Sequence, residues 1–331
     1  MHSPIKVSVV LITYNQKEYV RETLNSILMQ ETDFPVEVLV SDDASSDGTD
    51  EVLSDIQKNS SGRISLFLRK KNVGGTRNAY GILKRAKGEY IASLEGDDIW
   101  SDRHFLERAV KFLDERKEYI GVQDKCRIID KDSNVIDAEE FLKGKDFWKY
   151  DNDTYSIKEY CQWKMPGHIS ALVYRNIFRD DPKKMSILYK MHPMVGDRTI
   201  LMELVSRGTI YCTNHISLDY RLNISLGSTN WMSHQHEKNR RYEEYVHICR
   251  IDRYMKKHYD IRYSLAALKR SKIAAAAIVY MNDKSLENYE ALKNIVLYQK
   301  RAVLDVSIAV FAIVQKKMWI AIGKPEHRVW I

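Results

Sequence analysis

The 331-residue sequence contains only four cysteines, Cys126, Cys161, Cys212 and Cys249, spaced far apart. They form no CxxC pair and no Cys/His cluster at zinc spacing, which excludes a disulfide framework and a structural zinc site. The remaining reading is reduced, mostly buried thiols, and it fits the cytoplasm. Long apolar runs are missing too. The most apolar piece, Val303–Val314, carries Asp305 and is well short of the roughly 20 residues that span a bilayer, so no transmembrane helix is expected. Met1–Lys6 leads directly into the strand-like run Val7–Ile12, without a charged start, apolar stretch and small-residue cleavage site, so no secretory signal is expected. No internal repeat occurs. With 44% hydrophobic and 29% charged residues, the composition is that of an ordinary globular chain, neither disordered nor membrane-spanning.

Net positive charge is confined to one end. Residues 237–331 hold 19 Lys and Arg against 10 Asp and Glu, whereas the rest holds 33 against 35. The net +7 is therefore a property of the C-terminal region. Nucleic acid is not an expected partner, because the basic excess lies outside the α/β part and no nucleic-acid module motif is present.

What the chain does have is a regular alternation of strands and helices. Val7–Thr13, Val36–Val40, Ile64–Leu68 and Tyr90–Leu94 read as strands, with helices over Tyr19–Leu28, Thr49–Gln57, Thr76–Lys87 and Arg103–Arg116. That order implies parallel crossovers and a doubly wound α/β sheet with helices on both faces. Ligands of such sheets bind beyond the carboxyl ends of the strands. Polar residues gather there: Thr13-Tyr14-Asn15, Asp42-Asp43 and Glu95-Gly96-Asp97-Asp98. Further on, Gly121–Ile129, Ser170–Tyr174 and Thr209–Cys212 read as strands and Thr199–Ser206 as a helix. From about Asn239 the chain is helical, basic and aromatic.

Two phosphate-binding devices are absent. No glycine-rich turn follows the first strand, and no GxxxxGK[ST] sequence occurs, so a nucleotide must be held in another way. A strand-end carboxylate such as Asp42 or Asp43 can accept the imide N–H of a pyrimidine base; capping of the Thr49 helix falls to Asp47. Glu95, Asp97 and Asp98 place three acids within four residues. They repel one another unless a cation sits among them. Mg²⁺ or Mn²⁺ takes carboxylate oxygens and leaves positions for a diphosphate. Gly96 lets the backbone turn closely past a ligand. His168, after Pro166-Gly167, reads as a core or loop histidine. The aromatics Trp148, Tyr150, Tyr155 and Trp163, in or near the polar insertion Phe141–Tyr160, read as a local core.

Four segments in order, Val9–Asn15, Val40–Thr49, Asn72–Asn78 and Gly88–Asp98, resemble the family 2 glycosyltransferases of GT-A fold. The likeness covers roughly residues 5–115 and fades beyond. It implies that Thr13 and Asp43 contact the donor's base with Asn15 and Asp42 close by, and that Arg77 lies near base or phosphates. It also implies that Glu95 faces the ribose and Asp97, with Asp98 beside it, holds the metal. Glu95 is one methylene longer than the aspartate usual there. Asp197, opening a helix after Gly196, looks like the general base of inverting members, although a lone Asp at a helix start is more often a cap. Where relatives often carry a histidine after Tyr-Arg, Tyr220-Arg221 is followed by Leu222-Asn223. The Gln-x-x-Arg-Trp signature of processive synthases is absent, so one sugar per encounter is expected.

The sequence thus predicts an inverting transferase that uses a UDP- or dTDP-sugar and a divalent cation, acting on a glycan or lipid-linked acceptor in bacterial surface polysaccharide or glycoconjugate assembly. The alternative is a catalytically inactive nucleotide-sugar-binding module. Residues 1–235 form the expected catalytic domain (1–115 for the nucleotide-sugar, 116–235 for the acceptor), and 236–331 a basic helical region. That region suits either docking on an anionic membrane at the inner face of the cell, with Trp319 and Trp330 at the boundary, or a bundle that packs on the domain or forms a homodimer.

Overall fold

The computed structural model describes residues 4–137, 150, 152–179, 183, 186–192, 196–222, 240–259, 263–298 and 307. The chain divides into two compact units: Met1–Tyr160 with Lys164–Ser233, and Cys161–Trp163 with His234–Ile331.

The first unit is built on a nine-stranded mixed sheet. Strands β1 (Val7–Thr13), β2 (Val36–Asp42), β3 (Ile64–Leu68) and β4 (Tyr90–Glu95) run parallel in the order β3-β2-β1-β4. In β1 every residue but Ile12 is buried, as a strand covered on both faces requires. The covering helices α1 (Val20–Leu28), α2 (Thr49–Asn59), α3 (Gly75–Leu83) and α4 (Phe105–Glu115) each bury one stripe. Leu24 and Ile27 of α1, and Phe105, Leu106, Ala109, Val110 and Leu113 of α4, join β1 and β4 in one core. Each large apolar side chain so buried contributes about 1.5–3 kcal/mol.

The other half of the sheet is less regular. After β5 (Ile99–Trp100) come β6 (Tyr119–Ile129), β7 (Asp153–Tyr155), the helix α5 (Ile157–Cys161) and β8 (Leu172–Arg175), then the helices α6 (Ile187–Met191) and α7 (Asp197–Val205), and finally β9 (Thr209–Arg221). Strand β8 pairs antiparallel with both β4 and β6, and β9 runs parallel to β6. Three expectations need correction. The strand expected over 209–212 is a 13-residue strand reaching Arg221, because pairing with β5 and β6 extends it beyond its apolar start. The strand expected from Ser170 begins at Leu172, after a 3₁₀ turn at Ile169–Ala171. Helix α3 stops at Leu83 rather than Lys87. In the expected insertion, 141–149 lies outside the described residues, Tyr150 and Tyr155 meet edge to face, and Tyr155 is fully buried.

The second unit contains α8 (Arg240–His258), α9 (Ala266–Asn282) and α10 (Leu286–Tyr298). These helices close around Tyr245, Cys249, Ile273, Ala276 and Ile295. Asp252 on α8 accepts from Lys269 Nζ of α9 at 2.6 Å and from Lys256 Nζ at 2.9 Å. Burial opposes its charge, yet the two lysines outweigh that and hold Asp252 below the usual carboxylate range. Among the described residues no helix is long and apolar enough to cross a membrane. The run Val303–Val314 (Ser307 apart), Trp319 and Trp330 lie outside the described residues.

Candidate active site

Strand register assembles the site. Thr13 is level with Asp42 across β1 and β2, and Ile12 is level with Glu95 across β1 and β4. Three polar strand ends therefore open at one edge of the sheet, where a doubly wound fold binds ligands.

The first acidic end is tied to backbone amides and hydroxyls. Asp42, 1% exposed, accepts from Thr13 Oγ1 at 2.9 Å, Ser45 N at 2.9 Å and Ser45 Oγ at 2.5 Å. Asp43 accepts from Val73 N and Gly74 N, both at 2.9 Å, with Arg69 Nε 3.9 Å away. Gly74 has φ +88°, a conformation open to glycine that turns its N–H onto Asp43. Asn15, at φ 52°, donates its N–H to Ser45 Oγ and accepts from Ser46 N through Oδ1, both at 2.9 Å. Asp47 takes the role expected of it at the start of α2, accepting from Thr49 N at 3.0 Å. Asn78, beside Arg77, is buried and locked to Ser41 and Arg69.

The second acidic end is different in kind. Asp97 is 7% exposed, and its carboxylate receives no hydrogen bond from another described residue. Neither does that of Glu95. Burial, then the nearby charges of Asp197 and Asp97, push Glu95 up to about 8. Burial pushes Asp97 up to about 6, with the Arg221 guanidinium pulling against it. Asp98, fully buried, is raised well above the usual range by burial and by Asp97 and Glu95. It keeps two donors, Arg221 N on Oδ1 and Ser170 Oγ on Oδ2, both at 3.1 Å. Asp197 opens α7 and is also raised by burial, with Arg198 opposing. A chain separation of about a hundred residues thus ends in one electrostatically coupled group of four acids. The close approach at Gly96 is internal: a Cβ there would lie 2.3 Å from Gln16 Oε1 and 2.7 Å from Thr13 Cγ2.

Arg77 is exposed, its guanidinium 4.7 Å over the ring of Tyr189 on α6, and it forms no ion pair with a described acid. Asn223 lies outside the described residues. Two residues noted in the sequence without a role at the acidic turn are its neighbours. Arg221, wholly buried at the end of β9, donates Nε to Asp97 O at 2.9 Å and Nη2 to Glu22 at 3.0 Å. His168, pushed down to about 4 by burial, has Nδ1 3.7 Å from Asp98 Oδ2. Among the described residues, Glu95, Asp98 and His168 each bring a ligand atom within 4.8 Å of the others. Carboxylates raised first by burial, two of them without a donor from another described residue, suit a hard divalent cation.

The same α/β architecture occurs in Staphylococcus aureus TarS, residues 1–349 in complex with UDP-GlcNAc, at TM-score 0.62 and 19% identity over 88% of this chain and 80% of that one. The fold is therefore that of the GT-A glycosyltransferases. Residues 8–180 match the model of glycosyl transferase family 2, and the chain belongs to that family. A Mycobacterium tuberculosis protein is 32% identical over 58% of this chain and 49% of its own. The chain thus spans about half the length of that relative. A Haemophilus influenzae glycosyltransferase is 27% identical over 70% of this chain and 69% of its own. A Bacillus subtilis chain, by name a teichuronic acid biosynthesis glycosyltransferase, is 34% identical over 33% of this chain and 42% of its own.

Proposed function

We propose that the chain is an inverting, cation-dependent glycosyltransferase that moves one sugar from a UDP- or dTDP-sugar to an acceptor hydroxyl. The observation that carries this reading is the gathering of Glu95, Asp97, Asp98 and Asp197, from two distant segments, at the carboxyl edge of the sheet. In this reading residues 1–235 are catalytic, 1–115 holding the donor and 116–235 the acceptor.

Thr13, Asn15, Asp42 and Asp43 frame the base. The Asp43 oxygens, already oriented by Val73 N and Gly74 N, keep lone pairs for an imide N–H. Arg77 leaves the Tyr189 face for the diphosphate, and Glu95 meets the ribose. Asp97 and Asp98 hold the Mn²⁺ or Mg²⁺, which when bound offsets the charge of the departing diphosphate. Asp197 takes the acceptor hydroxyl's proton on the face opposite the leaving group; a carboxylate raised by burial is a better base for that step. The acceptor is a glycan or a lipid-linked sugar of a cell-surface polymer, a reading favoured by the name of the Bacillus relative. The basic second unit is assigned to an anionic membrane surface; in a vesicle-sedimentation test, binding to neither anionic nor neutral vesicles would leave instead a bundle packed on the domain or on a second subunit. A panel of nucleotide sugars, assayed for hydrolysis and transfer with and without Mn²⁺, tests the main reading. No turnover of any donor would leave only a binding module.

A further inference from the structure

One helix touches both the donor loop and the segment that leads to Asp197. Just before α3, Val73 N and Gly74 N donate to Asp43, and Arg77 lies in the helix's first turn. Between them Thr76, 2% exposed, donates Oγ1 to the main-chain O of His192 at 2.9 Å, 116 residues away in the chain. His192 is itself buried and leaves the end of α6 in an extended conformation, at φ −150° and ψ 140°. Gly196, directly before Asp197, also faces Thr76, since a Cβ there would stand 3.5 Å from Thr76 Cγ2. One turn further along α3, Tyr80 meets Tyr189 of α6 with 5.2 Å between ring centroids. A threonine hydroxyl in a helix ordinarily bonds to its own or a neighbouring turn. This one spans to a distant carbonyl, and its burial closes it to substrate.

We propose that Thr76 is a positioning residue for Asp197, tying the general base to the helix that carries the donor contacts. It rests on the role given to Asp197 under the proposed function and adds what holds that carboxylate in line with the leaving group. In-line attack tolerates little displacement, about 1 Å costing roughly 10²-fold in rate. Without the hydroxyl, the buried His192 carbonyl loses this donor, and the segment before Asp197 is released from α3.

The test compares kcat, donor KM and UDP affinity by calorimetry in Thr76→Val, Thr76→Ser and the double variant Thr76→Val/Asp197→Asn, with Tm as the control for folding. Thr76→Val keeps the shape and removes the hydroxyl, so kcat should fall about 10–10²-fold with UDP affinity retained. Thr76→Ser restores the hydroxyl and should recover most of that loss. In the Asp197→Asn background, Thr76→Val should lower kcat no further, because an absent base cannot be misplaced. Losses that add in full in the double variant would make Thr76 structural and overturn the proposal. Wild-type kcat in Thr76→Val would overturn it too, as would kcat and UDP affinity falling together. Thr76→Ala, which also lacks the hydroxyl, carries the same expectations where the valine variant does not fold. If Asp197→Asn alone keeps wild-type turnover, the base assignment falls and the proposal with it.

Discussion

Two pairs of adjacent aspartates stand at strand ends of one sheet and do opposite things with their charge. Asp42 and Asp43 follow β2 and are surrounded by donors: Thr13, Ser45 and the amides of Val73 and Gly74. Asp97 and Asp98 follow β4; burial raises the proton affinity of both, the charges of Asp97 and Glu95 add to it at Asp98, and the Asp97 carboxylate has no donor from another described residue. The first arrangement satisfies its charge from within and shapes a loop. The second is incomplete without a proton or a cation. Identical side chains thus become scaffold or reaction centre according to what their neighbours supply.

The largest effect should come from breaking the second pair. Asp97→Asn removes a cation-binding charge worth several kcal/mol at the diphosphate, so transfer should fall about 10³-fold or more with the circular dichroism spectrum unchanged. Wild-type turnover at saturating donor and Mn²⁺ would take Asp97 out of the cation site. Next in size, Asp197→Asn should cost about 10²–10⁴-fold in turnover, while UDP binding measured by calorimetry is retained. Loss of UDP binding would move Asp197 to the donor side.

Breaking the first pair should act on stability as well as on donor binding. Asp43→Ala leaves the Val73 and Gly74 amides without their acceptor. At about 1 kcal/mol for each half-exposed amide, the unfolding free energy should drop by about 2 kcal/mol, read from urea denaturation. An unchanged denaturation midpoint would show that water replaces the carboxylate without cost, and the scaffold role would fail.

Much of this contrast was legible in the sequence, for identifiable reasons. The first four strands announce themselves by β-branched apolar runs, and β1 and β3 begin and end where the pattern does. The helix opened by Asp197 was expected from its apolar spacing, within two residues of its observed start. What stayed hidden depends on pairing between distant segments. Nothing local in Thr209–Arg221 says that its polar second half continues as a strand, so the delivery of Arg221 to Asp97 and Asp98 was invisible. His168 reaches Asp98 only because β8 inserts between β4 and β6. The donors of Asp43 come from a loop thirty residues away, and no spacing rule ties the two.

The smallest effect is read at the second acidic end, through Glu95. Glu95 and Asp97 titrate higher in the fold than free carboxyls do, so the folded state holds protons that the unfolded chain has released. Their contribution to stability is fully present below the free values near pH 4. It is lost as pH rises through about 6 for Asp97 and about 8 for Glu95. Glu95→Gln, which needs no proton to be neutral, should therefore gain on wild-type protein as pH rises. In metal-free buffer the difference in Tm should be small at pH 5 and widen to a few degrees by pH 9, at about 2–4 °C per kcal/mol. Saturating Mn²⁺ should reverse it, because the ion competes with those protons and binds more tightly as pH rises. A Tm difference that stays constant from pH 5 to 9 would mean Glu95 is solvated as an ordinary carboxylate, and the distinction between the two acidic ends would rest on hydrogen bonds alone.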